Sequence, residues 1–300
     1  MNKLLAGLIL TFSLLQPALA QTMRFVYPPP ETAADARHLY YWDLLKAALE
    51  SNRDKYGDYA LAPHTTPMTF QRAAADVETG GERVNIVARA TNLDLEARLL
   101  PIRLPLDKGL LGYRLFLITA DTQPKLDKVR TLDELKQFSI GQSTPWTDVK
   151  ILQANGFRLA LAENYEGLFG MLAAGRFDLF SRGVIEIDAE WRAHVGKYPE
   201  MRIEKNFVLA YPMPRYYFVP RTPEGERMAE RITDGLQRLV RSGEFEQRYL
   251  AYKKLVLNGV PLAGRKVFRL TNTELGAGAP PLDDARWWDD LAVELAPKTL

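Results

Sequence analysis

The sequence predicts an α/β protein of two lobes, each a mainly parallel sheet with flanking helices. Three observations lead to this fold class. Segments with strand and helix periodicity alternate in two separate series, an order that is typical of parallel α/β sheets. The composition, 47% hydrophobic and 25% charged, is that of a folded chain. A length of 300 residues is enough for about two domains.

The first twenty residues have the three parts of a secretory signal peptide. Lys3 precedes an uncharged run over residues 4–15, and Pro17-Ala18-Leu19-Ala20 provides an A-x-A cleavage site. The run is shorter than the ~20 apolar residues that span a bilayer. We therefore expect cleavage after Ala20 and export of the mature chain. Because the sequence contains no cysteine, we expect no lipid anchor.

The first series of elements predicts the first lobe, residues 21–116. Strands are predicted over 25–27, 59–62 and 84–88, and helices over 39–49 and 66–80, where apolar residues recur at three- and four-residue steps. Proline stops the first strand, because Pro28-Pro29-Pro30 cannot donate ladder hydrogen bonds. From Thr91 to Gly112 the pattern becomes irregular, which indicates a connecting region.

The second series predicts the second lobe, residues 117–210. After a long strand over 113–119, helices over 132–138, 146–154 and 165–174 alternate with strands over 139–142, 158–162 and 177–181. An extended run over 206–219 contains Pro212 and Pro214, which favours a crossing segment at a sheet edge rather than a central strand.

The remaining residues divide into a return to the first lobe, 211–258, and a C-terminal extension, 259–300. Beyond Pro223 the apolar spacing predicts one long amphipathic helix through Phe245, with a solvated arginine face that includes Arg231. The extension contains Trp287 and Trp288, and because their apolar surfaces are large, we expect it to pack on the body.

Two motifs make the chain resemble the family-3 periplasmic solute-binding proteins. Residues 140–148, IGQSTPWTD, resemble the family's strand-to-helix turn, where hydroxyl groups and backbone amides hold a ligand carboxylate. Residues 91–98 resemble, more loosely, the first-lobe segment that ends in a carboxylate-binding arginine. The resemblance spans roughly residues 23–252. It implies a type II periplasmic-binding-protein fold whose lobes close on a solute around a hinge near 113–119 and 206–219.

This resemblance implies a set of ligand-binding residues, which physical chemistry supports at the turn. The first amides of a helix lack internal partners and carry partial positive charge, so they stabilise an anion. Ser143 or Thr144 could instead cap its own helix, and Trp146 could be a core residue instead of a wall for the ligand. Arg103 and Arg114 are alternatives to Arg98, the arginine of the 91–98 motif. The predicted ligand-binding residues of these two motifs are Arg98, Ser143, Thr144, Trp146 and Thr147.

Arg182 stands where many relatives place the carboxylate that binds the ligand's ammonium group. Either its side chain turns outward, or the site favours an anionic or neutral solute, because a guanidinium binds carboxylates and repels ammonium. Asp148 or Glu31 could provide the missing negative charge. Tyr27, at the end of the first strand, and Glu31, on the following loop, are further predicted ligand contacts from the first lobe.

The resemblance implies binding of a small polar, carboxylate-bearing solute for ABC-type import in the periplasm. We expect a monomer that binds this solute and an inner-membrane ABC permease, without nucleic acid, cofactor or metal. The net charge of +2 gives no indication of a nucleic-acid partner. A stand-alone receptor or sensor with the same fold remains an alternative, as does, less favourably, a secreted hydrolase.

We predict that the chain is not an enzyme. The sequence contains no nucleophile elbow, zinc-binding helix or phosphate loop. Its three histidines, His38, His64 and His194, show no ligand spacing. The acidic residues Glu186, Asp188 and Glu190 follow one another two apart, and neighbours two apart do not share a helical face.

Overall fold

The computed structural model of the protein describes residues 22–29 and 39–297. The predicted signal peptide, its cleavage site after Ala20, and the predicted ligand contact Glu31 lie outside the described residues. Within the described part, no helix combines the length and apolarity needed to cross a bilayer.

Lobe 1 is built on two groups of strands with helices on both sides. Its elements are β1 (Met23–Tyr27), α1 (Leu39–Ser51), α2 (Arg53–Tyr56), β2 (Tyr59–Pro63), α3 (Phe70–Glu78), β3 (Val87–Ala90), α4 (Leu93–Arg98), β4 (Leu100–Ile102), β11 (Arg215–Val219), α10 (Pro223–Ser242) and α11 (Glu244–Val256). β1 and β2 pair in parallel, and β11 lies between β3 and β4, antiparallel to both. The Asn85 backbone N–H donates to the Val26 carbonyl and links the two groups.

Alternation along β11 explains how lobe 1 buries two helical layers. Successive side chains of a strand point to opposite faces. Tyr217 and Val219 belong to the main core, whereas Tyr216 and Phe218 belong to a second core under α3 and α4. Every residue of β11 is buried, so the strand is central in the lobe. The prediction of an edge position for this segment was wrong.

Lobe 2 is built on one mixed sheet of seven strands. The elements of this lobe are β5 (Tyr113–Thr119), α5 (Gln123–Leu126), α6 (Leu132–Leu135), β6 (Ile140–Ser143), α7 (Asp148–Ala154), β7 (Leu159–Ala162), α8 (Tyr165–Ala173), β8 (Leu179–Gly183), α9 (Ile187–His194), β9 (Met201–Ile203), β10 (Phe207–Ala210) and β12 (Lys266–Arg269). The strand order is β12-β10-β5-β8-β6-β7, and β9 also pairs with β5. β6 is parallel to β7 and β8, and β5 is antiparallel to β8 and β10.

The chain passes between the lobes through residues 103–112 and again through 211–214. Pro212 and Pro214 lie in this second crossing and therefore interrupt neither β10 nor β11. These two prolines explain why residues 206–219 did not have the sequence pattern of a central strand. Apolar residues of the crossings, such as Leu106 and Leu111, join the side chains of both lobes into one continuous core.

Two helices replace the predicted single long helix of the C-terminal half. Thr222 caps α10 by accepting a hydrogen bond from the Gly225 N–H, and Pro223 occupies the first turn. Gly243, in the left-handed region at φ +80°, separates α10 from α11. Arg231 is fully buried rather than solvated, and its guanidinium donates to the Gly57 carbonyl at 2.7 Å.

The C-terminal extension packs against the body over residues 259–297. β12 adds a parallel strand to the edge of the lobe 2 sheet beside β10. Trp287 is 7% exposed and contacts Phe245 of α11, with ring centroids 5.7 Å apart. The last helix of its described part is the short α12 (Ala292–Leu295).

Candidate functional site between the lobes

The two lobes face each other across a cavity of about 460 Å³. Lobe 1 contributes the start of α3, the end of β3 and the first turn of α4. Lobe 2 contributes the β6–α7 turn, the start of α8 and the β8–α9 turn. The hinge contributes Leu111 and Met213, and Arg215 lines the cavity from the start of β11 beside the hinge. Because both lobes and the hinge line it, the size and shape of this cavity change whenever the lobes move.

Arg182 lies on the lobe 2 wall, between an aromatic surface and two carboxylates. Phe180 and Arg182 are two residues apart on β8, so they share a face of the sheet. The Trp146 ring stacks on Phe180, and the Arg182 guanidinium lies 4.5 Å from the Trp146 ring centroid. Its nitrogens also contact Glu186 at 2.9 Å and Glu190 at 2.5 Å.

The carboxylates fix the charge state of Arg182. Burial alone would lower the pKa of its guanidinium, but Glu186 and Glu190 raise the pKa above its ordinary value. The Tyr165 hydroxyl donates to Glu190 at 2.8 Å. Burial, followed by the charge of Glu190, raises the pKa of Tyr165, which therefore stays protonated. Arg182 thus does not turn outward, and its positive charge is compensated by the chain's own carboxylates, which removes the argument from Arg182 for an anionic solute.

A second buried group links lobe 2 to the hinge. Arg114, on β5, donates to the Asp148 carboxylate in the first turn of α7. The Tyr211 hydroxyl from the second crossing donates to the same carboxylate. A further carboxylate, Glu186, lies 3.8 Å from Arg114. Asp148 therefore places a negative charge of the chain's own at the helix end where an anionic ligand group was predicted.

A third group lies at the hinge end of the cavity. The Arg215 guanidinium lies over the Tyr41 ring at 4.6 Å and 3.8 Å from the Asp107 carboxylate. The Tyr41 hydroxyl donates to Asp107 at 3.0 Å. Burial raises the pKa of Asp107, and Arg215 and Tyr41 oppose that rise. Asp107 belongs to the first crossing and Arg215 begins β11 directly after the second crossing, so their contact holds the two hinge segments together.

A direct hydrogen bond joins the two lobes at the cavity. The Asn92 side-chain amide donates to the Thr147 hydroxyl at 3.0 Å. Asn92 also caps α4, because its side-chain oxygen accepts the Leu95 N–H at 2.7 Å. The cap fixes the orientation of Asn92, so the helix end of lobe 1 is positioned against the helix end of lobe 2.

Formal charges balance among the described residues that line the cavity. The lining cations are Arg89, Arg114, Arg182 and Arg215, and the lining anions are Asp148, Glu163, Glu186 and Glu190. Equal numbers of positive and negative groups give no net attraction for a strongly charged solute. The anionic preference considered from Arg182 alone therefore loses its basis.

The structure brings three predicted site residues to the cavity: Trp146, Thr147 and Arg182. Ser143 is buried at the end of β6 and does not line it. Thr144 is exposed, also outside the lining, and its N–H donates to the Ala162 carbonyl. The Trp146 N–H donates to the Ser143 carbonyl, so these two amides are used inside the fold and not available to a ligand.

The geometry does not support ligand contacts for Arg98 or Tyr27. Arg98 lies in the last turn of α4, one turn beyond the cavity-lining Leu95, and contacts Glu78 at 2.8 Å. Tyr27 stacks on Trp42 with ring centroids 4.2 Å apart, away from the interlobe lining. Of the alternative arginines, Arg114 lines the cavity.

Sequence reasoning overlooked the carboxylates around Arg182. Glu186 and Glu190 are four residues apart, and that spacing brings both to one guanidinium although the intervening Asp188 faces elsewhere. The spacing was readable in the sequence. Among residues 22–29 and 39–297, no cluster of three His, Asp or Glu side chains forms a candidate metal site.

No protein-family model matches the chain, and no curated protein matches it in sequence. Solved structures match its fold. A histidine kinase sensor domain with similarity to periplasmic binding proteins is 14% identical, with a TM-score of 0.53 over 77% of this chain and 96% of its own. An arginine-specific periplasmic binding protein of Salmonella typhimurium is 15% identical, with a TM-score of 0.52 over 77% of this chain and 99% of its own.

An ancestral arginine-binding protein bound to arginine is 17% identical, with a TM-score of 0.51 over 77% of this chain and 97% of its own. These neighbours are similar to the chain in fold only. They confirm the predicted fold class, because the matching structures include a periplasmic binding protein and a sensor domain with stated similarity to periplasmic binding proteins.

Proposed function

We propose that this chain, which has the fold of the periplasmic binding proteins, is an extracytoplasmic solute-binding protein that closes two lobes on a small polar solute for ABC-type import. One observation carries the proposal: a cavity between the lobes is lined from both sides and from the hinge. A solute in this cavity contacts both lobes at once, which stabilises the closed arrangement. The signal-peptide pattern over residues 1–20 supports export.

Hinge closure is the proposed mechanism. A ligand shifts the open–closed equilibrium only by the amount that it binds the closed state better. Contacts such as the Asn92–Thr147 hydrogen bond exist only when the lobes meet. These contacts lower the free energy of the closed state, so the solute needs to contribute less binding free energy to close the lobes.

The charge balance of the cavity favours a solute without net charge. A solute with a carboxylate must also carry a positive group, as a zwitterion does, because the lining anions equal the lining cations in number. Trp146 and the stacked Arg182 offer a flat wall for a planar or apolar part of the molecule.

A binding screen on the purified protein tests this solute class. Glutamine, glutarate and 1,5-diaminopentane share a five-carbon chain and differ in net charge, and the screen adds the common amino acids. We expect zwitterionic or neutral members to raise the melting temperature and the charged analogues to leave it unchanged. Tight binding of glutarate without any amino acid would contradict the proposed charge class.

Two threonines provide a matched pair of variants for the site. Thr147 lines the cavity and contacts Asn92, whereas Thr144, three residues before it, is exposed outside the lining. We expect Thr147→Val to weaken binding of whichever solute the screen identifies by roughly 5- to 10-fold, about the value of one hydrogen bond. Thr144→Val is the control and retains parental affinity. Parental affinity in Thr147→Val as well would show that the solute does not bind at this turn.

A stand-alone receptor or sensor is the second candidate. The fold similarity to a histidine kinase sensor domain favours it, as does the C-terminal extension. Deletion of the gene distinguishes the two candidates. Loss of solute uptake supports transport, and unchanged uptake with altered signalling supports the receptor. We rank a secreted hydrolase below both, because the neighbours described above are binding proteins or a sensor domain.

A further inference from the structure

The C-terminal extension is bound to lobe 2 at its beginning. β12 pairs with β10 over four residues. Next, the Thr271 N–H donates to the Asn155 side chain at the end of α7, and the Asn155 amide donates back to the Thr271 carbonyl. Glu274 then contacts Lys150 of α7 at 3.3 Å. The segment up to Glu274 therefore moves with lobe 2.

Two residues later the extension reaches lobe 1. Gly276 lies against Glu96 of α4 so closely that an added Cβ would be 2.9 Å from the carboxylate oxygen. Arg103 binds that carboxylate at 2.8 Å and lies against Gly278. Two residues of extended chain span at most about 7 Å. Little slack therefore separates the last lobe 2 contact from the first lobe 1 contact.

The extension then returns to the hinge and to α11. The Trp288 ring covers Gly109 of the first crossing, where an added Cβ would lie 2.6 Å from the ring. Asp289 accepts hydrogen bonds from Lys253 at 2.7 Å and from Tyr249 at 2.5 Å. The Asp289 N–H donates to the Lys108 carbonyl, and its own carbonyl accepts from the Tyr113 hydroxyl.

We propose that residues 270–291, named here the strap, restrict the opening of the hinge. The strap is attached to lobe 2, to lobe 1 and to the first crossing, so wide opening must detach one of these contacts. It joins α7 to α4, the same two helices whose first turns meet in the Asn92–Thr147 bond. The restriction acts through the lobes themselves and not through the solute.

Distances between spin labels on the two lobes test the strap in the full chain without added solute. The natural sequence contains no cysteine, so Ala75→Cys on α3 and Ala173→Cys on α8 label one exposed site in each lobe. The first strap variant is Gly276→Leu, which places a large side chain against the Glu96 carboxylate that Arg103 and Thr91 hold in place. Its control is Gly196→Leu, because Gly196 has no atom within 4 Å of an added Cβ. The second strap variant, Trp288→Ala, removes the ring over the hinge.

We expect both strap variants to move the distance distribution to longer values by more than its own width, and Gly196→Leu to superimpose on the parent. Distributions that superimpose for both folded strap variants would overturn the proposal. If circular dichroism shows that Trp288→Ala does not fold, the distance distribution of Gly276→Leu alone tests the proposal, and superposition on the parent would overturn it. Because no solute is present, failure here leaves the proposed solute binding standing, and failure of the binding screen leaves the strap standing.

Discussion

Arg182 illustrates how a single residue can mislead about the charge of a site. In isolation, a buried guanidinium predicts an anionic partner outside the chain. Here the partners are Glu186 and Glu190, and the ring of Trp146 covers the remaining face. A buried ion pair of this kind stabilises little in total, since desolvation offsets the attraction, but each member strongly depends on the other.

Removal of Arg182 should therefore cost far more than removal of an exposed arginine. We expect Arg182→Gln to lower the free energy of unfolding by about 3–5 kcal/mol, because the buried Glu190 carboxylate loses the guanidinium that it contacts at 2.5 Å. Arg98→Gln is the matched control, since Arg98 is 38% exposed in its ion pairs, and its expected loss is about 1 kcal/mol or less. Urea denaturation measures both; equal losses would show that the Arg182 cluster is solvated.

At the scale of elements, local pattern predicted most of the strands and helices but few of their contacts. The β6–α7 turn was identified from its residues, and Trp146 and Thr147 do line the cavity. The Arg114–Asp148 contact joins residues 34 apart and depends on how β5 is placed in the sheet. No periodicity within either segment carries that information.

The break between α10 and α11 shows the same limit. Apolar spacing continues from Met228 to Phe245 and predicts one helix, but Gly243 adopts φ +80° and ends α10. Glycine adopts this conformation without steric cost because it has no Cβ, whereas residues with a Cβ are strained there. Periodicity records which residues are buried and does not record a change in helix direction between them.

A substitution at Gly243 tests the origin of this break. We expect Gly243→Ala to lower the free energy of unfolding by about 1–2 kcal/mol, the cost of a Cβ in the left-handed region. No atom lies within 4 Å of the added Cβ, so backbone strain is the only contribution. Gly196→Ala is the control without positive φ and should change stability little; a neutral Gly243→Ala would mean that the helices rejoin.

For the whole molecule, the extension makes stability depend on pH. Burial would raise the pKa of Asp289, but hydrogen bonds from Lys253 and Tyr249 outweigh it and lower the pKa below its ordinary value. A carboxyl group with a lowered pKa in the folded state stabilises the protein above its unfolded pKa, about 3.9. That contribution is lost as the pH falls through the lower, folded pKa.

Comparison of the parent with Asp289→Asn measures this contribution. We expect the variant to be less stable at pH 6 by about 1–3 kcal/mol, because Lys253 and Tyr249 lose a charged acceptor. The difference should shrink as the pH falls below 4. Chemical denaturation at several pH values gives both quantities, and a difference that stays constant down to pH 2 would exclude Asp289 as the titrating group.

The pairing of β12 with β10 has a consequence for shortened versions of this chain. A strand at the edge of a sheet exposes unpaired amides and carbonyls that recruit strands from other molecules. β12 occupies that position beside Phe207, Val208 and Leu209, all of which are apolar. A protein cut before residue 260 would present these residues on a bare edge, and its principal defect would be aggregation during production.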